Sequence, residues 1–376
     1  MVRQLKVGDW VEVRSEDEIL QTLDLKGQLD GMPFMPEMFA FCRQRFQVYK
    51  RAHKTCDTVF PVRGRRVKQG VHLDTRCSGG DHGGCQARCL FFWKEAWLKP
   101  VKSASNASTL ISPESLLQTG QGRISQSACT KADVLANTQT VALKGAPVTY
   151  VCQATQLPYA SSSLEWWELG QYIEDYRSGN VGLWRIVCGA IYFLYFGLSQ
   201  AGIGLGRPMR WLYDHLYFLW RGSPFPRRVG TIPKGQRTRV ETLNLLPGAI
   251  VRIKSLQEIL KTLDTGGRNR GLYFDPEEVP YCGGTYRVLR RVERIINERT
   301  GQMLEMKTPC LVLDSVVCRA RYSECRLFCP KGSYAYWREI WLERVSPKPV
   351  AAQSSVASKS ADQASVRSSP ASDISG

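Results

Sequence analysis

The sequence predicts an α+β protein: two homologous small β-barrel-like modules joined by a helical middle region and followed by a disordered C-terminal tail. Two observations predict it. Five cysteines recur in the same order, Cys42, Cys56, Cys77, Cys85 and Cys89 near the N-terminus, then Cys282, Cys310, Cys318, Cys325 and Cys329. Around them, Gly8-Asp-Trp-Val-Glu-Val-Arg-Ser15 matches Gly248-Ala-Ile-Val-Arg-Ile-Lys-Ser255, and Glu18–Asp24 matches Glu258–Asp264, in one gapless register that runs on to Cys42 and Cys282. An internal repeat aligns the module with itself and shows which residues both copies keep.

Each element follows from local pattern. Copy one spans residues 1–101 and copy two residues 241–345. After a turn glycine, Val11 and Val13 alternate with polar residues, as Val251 and Ile253 do, which is the pattern of a half-buried strand. Glu18–Asp24 reads as a short helix. Phe46–Arg51 and Tyr286–Ile296 read as a second shared strand, and residues 296–306 are an insertion in copy two. Both copies close on Trp-basic-Glu-x-Trp-Leu, Trp93–Leu98 and Trp337–Leu342. On a strand these tryptophans would flank the glutamate and suit a cation; at helical spacing they are core, and core is the reading adopted.

Residues 102–127 lack apolar periodicity and read as a linker. In the middle region, 128–240, Val148–Ala154 suggests a strand and Trp166–Tyr176 a short helix. Val181–Gly206 is the most apolar stretch, although its uninterrupted core, Ile186–Leu198, is short for a bilayer span. Arg207, Arg210, Arg221, Arg227 and Arg228 follow among aromatic residues, flanks that suit a membrane interface. A buried helical hairpin, packed closely at glycines such as Gly189, explains the stretch equally well. Pro224–Arg239 is an extended connector. From residue 346 the chain is Ser, Ala and Lys, too polar to order itself.

Thiolates are soft ligands, and four of them close a tetrahedral zinc or an iron–sulfur site. Copy one offers Cys56, Cys77, Cys85 and Cys89, and copy two offers Cys310, Cys318, Cys325 and Cys329. Zinc is preferred to an iron–sulfur cluster on ligand type. Cys42 and Cys282 stand apart as spare ligands or core thiols. His82 lies in the loop Cys77-Ser-Gly-Gly-Asp-His-Gly-Gly-Cys85, which has no histidine in copy two, so a shared site does not need it. Buried cysteines acting as compact hydrophobes, or a redox dithiol, are the alternatives.

Gly-x-x-Val-x-Val opening a short, strand-rich module resembles the small barrels of the Tudor, KOW and Src-homology class. The whole chain resembles an uncharacterised bacterial family of cysteine-rich duplicated proteins, a resemblance that implies no particular activity.

The 376 residues carry a formal charge of +17, which suits an anionic membrane surface or nucleic acid. The N-terminus shows no apolar signal region, so the expected compartment is the cytoplasm, with membrane association through 181–228. Thirteen cysteines there favour metal ligation or free thiols over disulfides. No nucleotide-binding loop, zinc-protease helix or serine-nucleophile elbow is present. The expected function is a metal-binding, zinc-stabilised accessory or interaction protein with a protein partner or an anionic membrane surface. A metalloenzyme or iron–sulfur redox protein of a biosynthetic pathway, and a nucleic-acid binder, are the rivals. Whether the chain is an enzyme or a scaffold, and what small molecule it would take, stay open at this level.

Overall fold

The computed structural model describes residues 4–57, 59, 63–101, 129–140, 147–200, 204–217, 225–226, 228–322 and 327–345. The expected linker at 102–127, the tail from 346 and Cys325 lie outside the described residues.

Strand β1 (Trp10–Val13) follows a turn in which Gly8 holds φ at +86°, a conformation that a side chain resists. Val11 and Val13 point into the core, as the alternation requires. Ser15 then caps α1 (Glu16–Leu20): its hydroxyl accepts from Glu18 N–H, and the Glu18 carboxylate accepts from Ser15 N–H. A reciprocal cap of this kind stabilises a helix start by about 1 kcal/mol. The helix therefore begins two residues earlier than the apolar pattern suggested. β2 (Arg45–Gln47) and β3 (Leu98–Pro100) flank β1, with Val11 opposite Phe46 and Val13 opposite Leu98.

The middle region builds onto copy one. Cys129, Val134, Leu157 and Ala160 share one core with Val11, Trp93 and Trp97. Ser161–Leu164 pairs with Gly64–Val67, which pairs in turn with Lys54–Cys56. The strand expected over Val148–Ala154 stops at Thr149–Tyr150, and a helical turn, Gln153–Gln156, follows with Cys152 at its N-cap. The buried Gln153 amide accepts from Phe92 N–H and donates to the carbonyls of Phe92 and Pro33, and these bonds outweigh the local strand pattern. Three helices close the region: α2 (Gly170–Arg177), α3 (Leu183–Gln200) and α4 (Gly206–Leu216). No described helix is long and apolar enough to cross a membrane. Gly189 of α3 sits so close to Phe328 that a Cβ would lie 2.5 Å from its ring.

Copy two repeats the opening order. β4 (Ile250–Ile253) leads to α5 (Leu256–Leu260), capped reciprocally by Ser255 and Glu258. Long strands β5 (Thr285–Ile296) and β6 (Met303–Val317) form a hairpin whose turn lies in the insertion. β7 (Tyr334–Trp337) and β8 (Leu342–Arg344) complete a sheet ordered β7-β6-β5-β4-β8. Val251 faces Tyr286 and Ile253 faces Leu342, the counterparts of the pairs in copy one.

The tryptophan pairs are core in both copies. Trp93, Trp97, Trp337 and Trp341 are fully buried. Phe34 meets Trp97 edge-on at 5.1 Å and Phe274 meets Trp341 at 5.3 Å. Trp97 Nε1 donates to Thr22 at 3.0 Å, and Trp341 Nε1 to Thr262 at 2.9 Å. The intervening glutamates pair with arginine, Glu95 with Arg51 at 2.5 Å and Glu339 with Arg291 at 2.7 Å.

The fold is thus mixed helix and strand in small sheets. The barrel expectation is corrected: none of the described sheets closes. Closure needs enough strands with a consistent stagger, whereas β7 and β8 are separate edges and the strands of copy one divide into small, separate sheets. Met1–Arg344 nevertheless cluster as one compact unit.

Candidate metal centre

The Cys77–Cys89 loop is shaped by glycine and held by one carboxylate. Gly79 has φ +83°, and a Cβ there would lie 1.8 Å from the Cys85 carbonyl oxygen; one at Gly83 would lie 2.3 Å from Tyr150 Oη. Glu37 accepts from the N–H groups of Ser78 at 2.6 Å and Gly79 at 2.9 Å. Its repeat counterpart, Glu277, accepts from Arg321 and Tyr322 N–H at 2.9 and 2.5 Å, so the retained Pro-Glu pair secures the cysteine loop in each copy. Cys77 and Cys89 are brought side by side, Cys77 N–H donating to the Cys89 carbonyl at 2.9 Å.

Glu37 Oε1 also lies 3.8 Å from Cys77 Sγ and 3.8 Å from His82 Nδ1. Ligand atoms of Glu37, Cys77 and His82 all fall within 4.8 Å of one another. His82 is 1% exposed, and neither ring nitrogen has a hydrogen-bond partner. Burial holds this imidazole below its ordinary pKa, leaving a neutral ring with a lone pair to offer. A tetrahedral zinc with bonds of about 2.0–2.3 Å spaces its donors about 3.3–3.8 Å apart, so the three residues fit a zinc after a small contraction.

Other thiols lie within electrostatic reach of this group. Burial, then Glu37, Cys89 and Cys152, push the Cys77 thiol up. Cys89 is raised to about 12, by burial and by Glu298, Cys152 and Cys85, with Lys331 opposing. Cys152 is raised by burial and, more weakly, by Cys85 and Glu298. Cys77, Cys85, Cys89 and Cys152, all half-buried, therefore lie within electrostatic reach of one another, but among the described residues only Glu37, Cys77 and His82 bring ligand atoms within 4.8 Å. Cys85 Sγ accepts from Ile296 N–H of β5 at 3.4 Å, docking the loop on copy two.

Cys56 takes part elsewhere. Its N–H donates to Cys329 Sγ at 3.1 Å. The hydrogen bond with the Cys56 side chain and then burial hold the Cys329 thiol far above its usual range. Burial, Glu277 and Cys56 raise Cys318 in the same way. Thus Cys56 of copy one meets Cys329 of copy two, with Cys318 in electrostatic reach of both, although the three sulfurs do not gather within 4.8 Å. Cys310, its repeat counterpart, lies in β6 within a small core of Val292 and Val312, with Arg338 Nη1 donating to its sulfur at 3.3 Å. Cys42 and Cys282 end matching 3-10 helices and pack against the two main cores. Lys331 pairs with Glu298 at 3.5 Å, and Glu298, Cys56, Cys89 and Cys329 favour its ammonium against the cost of burial.

Sequence reasoning missed Glu37, Cys152 and Lys331. The Pro-Glu repeat was the available signal for Glu37; Cys152 lies outside the repeat and gave none. The other two histidines of copy one turn away from the thiols. His72 Nδ1 lies 2.8 Å from the Phe91 carbonyl oxygen, and His53 Nε2 lies 3.4 Å from Asp175, which also pairs with Lys54. Comparison with family models, curated proteins and solved structures finds no match for this chain.

Proposed function

We propose that this chain is a metal-binding accessory or interaction protein, stabilised by zinc held at two thiolate-rich centres. One centre would draw on Cys77, Cys85, Cys89 and Cys152, with His82 and Glu37 at its border. The other would draw on Cys56, Cys318 and Cys329. The observation that carries the reading is the buried His82, its ring nitrogens without a hydrogen bond, beside Cys77 and Glu37. A buried imidazole with two unsatisfied nitrogens costs free energy that a ligated metal would recover.

The raised thiol pKa values argue against a redox dithiol, which needs a low-pKa, accessible thiolate. They are compatible with metal, because a bound cation deprotonates a coordinating thiol outright. When bound, the ion would cross-link segments distant in sequence. Zinc is preferred over an iron–sulfur cluster on donor chemistry, mixed sulfur, nitrogen and oxygen at one centre.

Metal analysis with an absorption spectrum of the purified chain tests this. The expected result is up to two equivalents of zinc and no visible bands. Acid-labile sulfide with a brown colour would favour the iron–sulfur alternative. A chelator-treated protein that carries no metal and melts at the same temperature as the untreated form would overturn the proposal, since structural metal binding is folding free energy.

A further inference from the structure

Lys50 and Arg76 of copy one, Arg185 of α3, and Arg319 and Arg321 after β6 line one cavity of about 640 Å³. Among the described residues that line it, the carboxylates are Asp74 and Asp314. Such basic side chains as have partners use neutral ones. Lys50 Nζ donates to the Asn180 carbonyl at 2.6 Å, and Arg76 donates to the carbonyls of Arg88 and Gly332 at 3.1 and 3.0 Å. Arg319 lies over the Tyr281 ring at 5.0 Å. Arg321 Nε is buried without a hydrogen-bond partner. Among the described residues, Arg185, Arg319 and Arg321 make no ion pair with a carboxylate.

Like charges gathered in a partly desolvated cavity repel, and the cost grows as the local dielectric falls. Burial, then Arg321 and Arg319, hold the Arg185 guanidinium below its ordinary pKa. Burial, then Arg185, do the same to Lys50. A bound anion is the natural source of the missing negative charge. Guanidinium forks match phosphate oxygens in pairs, and three arginines with a lysine offer more donors than a single carboxylate can accept.

The cavity continues past the arginines. Arg185, Arg321 and Phe328 also line a groove of about 510 Å³ whose other walls include Trp184, Ile191 and Leu212. Trp184 and Ile191 are 72% and 62% exposed, an apolar surface left open by the described residues. Both volumes are in the range of small-molecule sites.

We propose that this composite cleft binds an amphiphile with a phosphate head, the head held by Lys50, Arg185, Arg319 and Arg321 and its apolar chain lying along α3 and α4. Cys318 and Cys329 of the proposed second centre also line this cavity, but the anion site is argued from its basic side chains alone. The head group can belong to a free alkyl phosphate or to an anionic membrane lipid.

The test uses full-length protein and the fluorescence of its tryptophans, Trp184 lying in the groove. Dodecyl phosphate, below its micelle concentration, is titrated beside inorganic phosphate and dodecyl maltoside, which carry the head and the chain separately. Dodecyl phosphate is expected to bind at least about tenfold more tightly than either, and Arg185→Gln with Arg321→Gln to weaken it by about tenfold or more. Ile191→Glu, at an exposed position, should weaken it without lowering the melting temperature, and it carries the test if the arginine variant folds poorly. Equal affinity for dodecyl maltoside, or full affinity in both variants, would overturn the proposal. Flotation with phosphatidylglycerol but not phosphatidylcholine vesicles would support a bilayer lipid as the source; binding of dodecyl phosphate without flotation would support a free amphiphile.

Discussion

The backbone N–H of Cys56 donates to Cys329 Sγ at 3.1 Å across 273 residues of sequence. The two copies therefore meet through cysteines that occupy different positions in the repeat. The true counterpart of Cys56 is Cys310, whose sulfur receives an Arg338 N–H in a separate apolar core. If the proposed centres hold metal, Cys56→Ser and Cys329→Ser should each remove the same equivalent, whereas Cys310→Ser should leave metal content unchanged. Elemental analysis of the three purified variants checks this, and a loss in Cys310→Ser alone would restore the within-copy grouping.

Gly83→Ala should damage the cysteine loop without touching a ligand. The new Cβ would collide with Tyr150 Oη at 2.3 Å, and φ at +60° is unfavourable for alanine. A destabilisation of about 1–3 kcal/mol is expected, together with a drop in metal affinity. Urea unfolding and a competitive chelator titration measure the two effects. Gly170→Ala, where a Cβ meets nothing within 4 Å, serves as the control.

Stability should fall in mild acid. Burial pushes His72 down to about 4 from 6.5, so the unfolded chain takes up the proton before the folded one as pH falls. The contribution is complete above pH 6.5 and is lost between 6.5 and about 4, to at most about 3 kcal/mol. His53, also pushed down to about 4, acts in the same sense. Asp175, pushed up to about 6 by burial, acts oppositely, its share being lost as pH rises through that value. His72→Leu should flatten the dependence of the urea midpoint between pH 7 and 4.5. An equally steep loss in the variant would assign the acid sensitivity to other groups.

Glu95→Leu should cost about 1–3 kcal/mol, because it removes one of the two carboxylates on the Arg51 guanidinium, 5% exposed, while Glu174 at 2.8 Å remains. Glu339→Leu should cost at least as much: its partner Arg291 is 34% exposed and can turn to water, but the N–H groups of Leu243 and Asn244 lose the carboxylate oxygen that accepts from them. Thermal melts of the two variants compare these matched positions directly.

The sequence by itself determined the local structure that recurs. The Ser15 and Ser255 caps, the turn glycines, the alternation through Val11 and Val251, and the buried tryptophans of Trp93–Leu98 and Trp337–Leu342 are set by contacts within a few residues or by hydrophobic period. Repetition made each pattern readable twice. The cysteines most exposed to tertiary choice were less legible. A thiol is small and apolar enough to sit in a core, as Cys310 does, or to face another thiol, as Cys56 does, and nothing local separates the two. Only the docking of copy one on the β5–β6 hairpin placed Cys56 at Cys329 and Cys85 at Ile296. Only the buried amide of Gln153 turned the expected strand into the helical start that carries Cys152 to the cluster. The open sheets have the same origin: strand pattern gives alternation, while closure depends on how many edges find a partner in space.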